Sequence, residues 1–159
     1  MNRVNVISTS VQPRLRLSLV ASDTIGPGEV IVACSRDEIT GQRTWRTVQI
    51  GQNRHIKNEL LDYVDHSCHP NAIFMTETLQ LVALRSIAAG EPITFFYPGT
   101  EVELAEAFQC SCGSERCLGL VTGAFYLTAD QMREALDAGY CTSFIRAHLE
   151  RLLAGSIKS

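Results

Sequence analysis

The sequence predicts a mainly β fold with some α-helix toward its C-terminal end. Three observations carry that reading. Leu15, Leu17 and Leu19 alternate with Arg16 and Ser18, the period of a strand with one buried face. The string Ile25-Gly-Pro-Gly-Glu-Val-Ile returns as Ile87-Ala-Ala-Gly-Glu-Pro-Ile, so one turn-and-strand grammar is used twice. Phe144, Ile145, Leu149, Leu152 and Leu153 then recur at helical spacing.

Taken in order, the first strand runs into the turn Ile25-Gly26-Pro27-Gly28, and Glu29 to Cys34 reads as a second strand. Arg36 to Arg46 is polar and contains Gly41, which marks a loop; its Trp45 is the chain's single tryptophan and suits a pocket wall or an edge contact equally. Thr47 to Gly51 is a short strand, and Leu60 to Val64 leads into Asp65-His66-Ser67-Cys68-His69-Pro70-Asn71. Ala72 to Thr78 alternates as a strand, Leu79 to Ile87 is apolar and β-prone, Ala88-Ala89-Gly90 turns, and Pro92 to Tyr97 is a strand again. Pro98-Gly99 breaks it, and the acidic stretch from Glu101 to Ala107 reads as helical. Thr128 with Gln131 makes a capping box for a helix through Leu136, and Gly139 is its stop.

The whole chain bounds the function. Its 159 residues, 45% hydrophobic and 19% charged, are enough for one domain with a real core. A net charge of −3 argues against non-specific nucleic-acid binding and suits a basic partner. No apolar run reaches membrane-spanning length, and the N-terminus lacks the apolar core of a signal peptide, so the expectation is an intracellular protein, cytoplasmic or nuclear, not secreted. Six cysteines in that setting favour reduced thiols or a metal over disulfides; Cys34 and Cys141 stand alone and read as small buried hydrophobes.

Three strings carry chemistry: Asp65 to Asn71 (DHSCHPN), Gly90 to Tyr97 (GEPITFFY), and Phe108 to Gly119 with Cys110, Cys112 and Cys117. In content, order and spacing they resemble the SET-domain methyltransferases with a post-SET zinc segment, over roughly Ile25 to Gly119. The resemblance implies a SET-type β-clip fold of several small sheets with a knot-like threading at the active site, a post-SET zinc segment and C-terminal helices. It divides the chain into a SET domain at 1–107, a zinc-binding segment at 108–120 and a helical tail at 121–159.

Three thiolates within eight residues leave a tetrahedral structural zinc one ligand short. His66 and His69 are within the neighbouring motif; the resemblance implies Cys68 as the fourth ligand beside Cys110, Cys112 and Cys117. The same resemblance implies S-adenosylmethionine as cofactor and the ε-amine of a lysine in a protein or peptide as acceptor. A lysine amine, with an unperturbed pKa of about 10.4, must lose a proton before it can attack. Tyr97 matches the family's catalytic tyrosine, and Phe95 the channel position that sets how many methyls are added. Asp65 and His66 match the cofactor loop, although Asp65 stands where the family has asparagine. The family's Gly-x-Gly in the first strand falls here on Arg16 and Ser18, and Phe96 replaces its usual aspartate. Leu120, Phe125 and Tyr126 are candidates for the second wall of the lysine channel. Two alternatives remain beside the protein-lysine enzyme: a methyltransferase of a small free amine or amino acid, and a zinc-stabilised interaction domain without catalysis.

Overall fold

The computed structural model of the chain describes residues 3–11 and 14–156. Its strands are short. In chain order they are β1 (Val4–Val11), β2 (Arg14–Ala21), β3 (Val30–Ala33), β4 (Ile39–Thr40), β5 (Val48–Gly51), β6 (Arg54–Ile56), β7 (Asp65–His66), β8 (Ala72–Met75), β9 (Gln80–Ala83), β10 (Thr94–Phe95), β11 (Phe108–Gln109) and β12 (Leu120–Val121). Two helices follow, α1 (Ala129–Asp137) and α2 (Ser143–Ser156). The sheets are small, as the resemblance implied: β1 pairs β2, β3-β9-β8 and β4-β6-β5 make three-stranded sheets, and β7 lies parallel to β10.

The repeated turn has a structural meaning. Ile25 and Ile87, both fully buried, form an antiparallel bridge through reciprocal backbone hydrogen bonds of 2.9 and 2.8 Å. Around them the two passages use the same devices. Glu29 accepts the Gly26 N–H at 2.5 Å and pairs with Arg3; Glu91 accepts the Ala88 N–H at 3.0 Å and pairs with Arg85. Gly28 and Gly90 take φ of 77° and 83°, the left-handed region that glycine enters without strain. The two turns therefore stand back to back and tie the β3 sheet to β2.

The alternation in the first strand does not map onto burial as expected. Leu19 is buried, but Leu17 is 51% exposed, and Ser18, Val20 and Ala21 are buried with Leu19. The cause is that the end of this strand is covered on both sides: Val20 bridges Pro92 while Leu19 sits in the main core. The strand expected from Pro92 to Tyr97 is reduced to β10, because its residues change partners. Ile93 donates to Leu19, and only Thr94 and Phe95 pair with β7.

The helix expected from Glu101 to Ala107 is not formed. Its backbone groups are bonded to other segments instead. Val102 N–H goes to the Gln49 side chain, Leu104 N–H to the Thr122 carbonyl, and the Glu101 and Val102 carbonyls accept from Ala124 and Phe125. Tertiary bonds here replace the i→i−4 ladder that local propensity favours.

The tail is helical where predicted. Thr128 and Gln131 exchange both hydrogen bonds of a capping box at the start of α1. Gly139, at φ 73°, follows its end. Ile145 and Leu149 of α2, one turn apart, are fully buried, which contributes about 1.5–3 kcal/mol each. They belong to a second core with Met132, Ala135 and Cys141, and Phe96 is part of it, its ring 6.0 Å from Tyr140. Gly99 permits the docking: a Cβ there would lie 2.0 Å from the Tyr140 carbonyl oxygen, and its own carbonyl accepts from Thr142.

Candidate active site and metal centre

β2, the loop before β5, the segment entering β7 and the stretch from Phe95 to Phe108 enclose a cavity of about 550 Å³, within the range of small-molecule sites. Tyr97, Phe95 and Asp65 all line it. The three come from two of the quoted strings, Asp65 from one and Phe95 and Tyr97 from the other, and share one cavity.

Tyr97 is held firmly. Its hydroxyl donates to the Val64 carbonyl at 2.7 Å, and its backbone N–H donates to His66 Nδ1 at 3.2 Å. Its ring lies 5.0 Å from Phe95 and 5.8 Å from Phe108, centroid to centroid. Burial, reinforced by the nearby Asp65 carboxylate, holds the phenol above its usual range. At neutral pH the hydroxyl is therefore a neutral donor and not a base.

His66 sits behind Tyr97 and not on the cavity wall. With Nδ1 accepting from Tyr97, the proton is assigned to Nε2, which points at Cys68 Sγ 3.3 Å away. Burial first, then Arg16, lowers its pKa to about 4, so the ring is neutral. His66 therefore links the tyrosine to the cysteine cluster.

Asp65 has both oxygens occupied by the strand opposite. Ser18 donates to Oδ2 at 2.5 Å and Arg16 Nε lies 3.1 Å from Oδ1. These are the positions where the family's Gly-x-Gly was expected. The two departures from the family pattern are thus one interacting unit, which no single position discloses.

Cys68, Cys110, Cys112 and Cys117 converge, all four sulfurs within 4.8 Å of one another. A tetrahedron with Zn–S bonds of about 2.3 Å needs sulfurs about 3.8 Å apart, and Cys68 and Cys110 are at 4.0 Å. Backbone N–H groups already point at two of them, Leu118 at Cys68 Sγ (3.3 Å) and Cys112 at Cys110 Sγ (3.4 Å). Burial pushes Cys68 up and Cys110 up to about 11. At Cys112 burial is outweighed by hydrogen bonds from the Ser114 and Cys68 backbone and from the Cys110 and Cys68 side chains, which bring it down to about 7; a dication would release the protons that remain. The donor set fits zinc. His69 lies outside it, with Nδ1 3.2 Å from the Tyr140 hydroxyl.

The second-wall candidates are corrected. Leu120, Phe125 and Tyr126 are each more than half exposed and none lines the cavity. Phe108 takes the place beside Tyr97, and Trp45 stands at the rim with Arg46 4.5 Å over its ring. Phe108 was within the quoted zinc string, but only the pairing of β11 with β12 brings it against the tyrosine. Sequence reasoning also passed over Asp62 and Glu101, two carboxyl groups on the same cavity.

The family model described as SET domain matches residues 16–98. The chain is 33% identical over 118 residues to Methyltransferase flvH of Aspergillus flavus, a match covering 72% of this chain and 61% of that protein. It is 35% identical over 63 residues to Histone-lysine N-methyltransferase ASHR3 of Arabidopsis thaliana, covering 36% of this chain and 12% of that one. It is 29% identical over 89 residues to a variant-silencing SET domain-containing protein of Plasmodium falciparum, covering 50% and 3%. The chain therefore spans about three fifths of the first relative's length and far less of the others'.

Proposed function

The chain belongs to the SET-domain family, and on that premise we propose that it is an S-adenosylmethionine-dependent N-methyltransferase whose acceptor is the ε-amine of a lysine in a protein. The observation that carries the reading is the neutral Tyr97 hydroxyl, fixed by Val64 on a cavity shared with Asp65, Phe95 and Phe108. The similarity to an Arabidopsis histone-lysine N-methyltransferase supports lysine as acceptor.

The residues present suit the cofactor. S-adenosylmethionine carries a carboxylate, an ammonium and a sulfonium; Arg16 and Asp65, side by side on the cavity, offer one charge of each sign. When bound, the cofactor supplies an electrophilic methyl group. The chain's own residues supply position: Tyr97 and Phe95 form an apolar, partly water-excluded wall, and the tyrosine hydroxyl offers an oriented dipole. Phe95 presents no hydroxyl, so it holds no water that would oppose a second methyl.

We assign the cysteine cluster a structural zinc. Its role is to pin the strand pair β11–β12, and with it Phe108, onto the loop that carries His66. A four-cysteine zinc site suits a reducing compartment, cytoplasmic or nuclear. Among the described residues no helix is long and apolar enough to cross a membrane.

Labelled-methyl transfer into a whole-cell extract tests the proposal. Label in a discrete protein band supports it. Label confined to small molecules would move the acceptor to a free amine, and a chain that neither binds the cofactor nor transfers label would overturn the enzymatic reading.

A further inference from the structure

Glu101 is an unusual residue for a cavity wall. It is 7% exposed, yet it lines the same cavity as Tyr97, and its backbone N–H donates to the Tyr97 carbonyl at 3.0 Å. Its Oε1 accepts the Gln49 N–H at 2.8 Å. Gln49 in turn grips Val102, so the carboxyl is clamped from β5. Among the described residues no ion pair to Glu101 is formed and no donor reaches its second oxygen. Asp62, on the same cavity, also has an unfilled position: its Oδ1 is buried without a hydrogen-bond partner, and its Oδ2 is a distant 3.9 Å from Arg46. A buried carboxyl with an oxygen left unpaired is costly unless something supplies a partner. The aromatic groups that share the cavity, Tyr97, Phe95 and Phe108, suit an alkyl chain carrying a positive charge.

We propose that Glu101, with Asp62 on the same cavity, binds the ammonium of the acceptor, and that the Glu101 carboxylate takes its proton. The N–H bond of the ammonium breaks, an O–H bond forms on Glu101, and a charged pair becomes a neutral amine beside a neutral acid. The proton-transfer half rests on the methyltransferase reading; the ammonium-binding half does not. Burial pushes the Glu101 carboxyl up to about 8, against the lowering effects of the Gln49 N–H and Arg43. Burial also raises Asp62, against Arg46 and Lys57. A carboxyl so placed is matched to accept a proton from a desolvated amine once it ionises, around pH 8. The titratable and charged groups sharing its cavity are Arg16, Arg46, Asp62, Tyr63, Asp65, Tyr97 and Glu106.

Trp45, the chain's only tryptophan, lies on this cavity and reports its occupancy. The test is titration of the full chain with n-butylammonium, a lysine side-chain mimic, against n-butanol at constant ionic strength, followed by Trp45 fluorescence. The wild type should bind butylammonium saturably and butanol far more weakly, with affinity rising from pH 6 and levelling above pH about 8, as Glu101 ionises. Glu101→Gln keeps the acceptor for Gln49 and should weaken binding about ten- to hundredfold and flatten the pH profile. Asp62→Asn should weaken it less, with the profile retained. Equal affinity for the alcohol, equal affinity in Glu101→Gln, or a flat wild-type profile would each overturn the proposal. The wild-type measurements do so whether or not the variant folds. Neither cofactor nor turnover is needed, so failure here is separate from failure of the labelled-extract experiment.

Discussion

Arg16 and Asp65 lie 49 residues apart in sequence and meet with Nε 3.1 Å from Oδ1, while Ser18 from the same strand donates to the other oxygen. The pair converts two separate departures from the family pattern into one local exchange of charge. The first prediction follows from that pairing. Asp65→Asn would keep an acceptor for Ser18 but leave Arg16 facing a cationic cofactor without its partner. Cofactor affinity should fall several-fold. In Arg16→Gly/Asp65→Asn much of it should return, with a coupling of about 0.5–1 kcal/mol, modest because Arg16 is more than half exposed. Calorimetric titration of the four proteins measures this; additive single effects would show that the pair is not a unit.

Tyr97→Phe removes the hydroxyl and leaves the ring contacts. Loss of the bond to Val64 should cost about 0.5–1.5 kcal/mol of stability. Turnover should fall far more than cofactor affinity if, as proposed, the hydroxyl acts on the reacting groups and not on the resting complex. Single-turnover methyl transfer with parallel calorimetry separates the two; near-normal turnover would leave Tyr97 a structural residue.

Phe95 predicts products beyond monomethyl-lysine. Phe95→Tyr places a hydroxyl on the cavity wall next to Tyr97 and should restrict transfer to one methyl. Mass spectrometry of acceptor taken to exhaustion reads this directly, and a wild type that stops at one methyl would contradict it.

The cysteine cluster predicts one zinc per chain by elemental analysis. Cys112→Ser should lower the metal content and open residues 108–120 to proteolysis, while the main core, which contains none of these cysteines, keeps its fold. Protein purified from metal-replete medium without zinc would refute the assignment.

Glu101 predicts a pH-dependent stability difference. Its folded pKa, about 8, lies above the ordinary value of 4.5 for a glutamate. Between those values the unfolded chain has released the proton and the folded chain still holds it. Wild-type stability therefore declines relative to Glu101→Gln as pH rises from about 4.5 to about 8, then levels. The accumulated difference is on the order of 3–5 kcal/mol. His55 and His148, both lowered by burial, bend the absolute curve the other way, so the quantity to measure is wild type minus variant in urea unfolding at several pH values. A constant difference across the range would mean that Glu101 is ionised in the folded protein at neutral pH.

The sequence by itself determined what is local or repetitive. The alternating strand, the doubled Ile-x-x-Gly-Glu turn, the Thr128 capping box, the two helices and the run of three cysteines all lie within windows of a few residues, where backbone period, turn chemistry and ligand spacing act directly. It also presented Tyr97, Phe95 and Asp65 as members of recognisable strings. What only the tertiary structure decided are the contacts between segments far apart in the chain. Arg16 reaches Asp65, Phe108 reaches Tyr97, Phe96 turns into the helical tail's core, and Glu101 is drawn from an expected helix into a buried position beside Gln49. None of these is written in a local pattern. Strands of two to four residues are too short to fix their own partners, so pairing and register are chosen by the burial of the whole core. Whether a carboxyl is a solvated surface charge or a buried acid on a cavity wall follows from that choice.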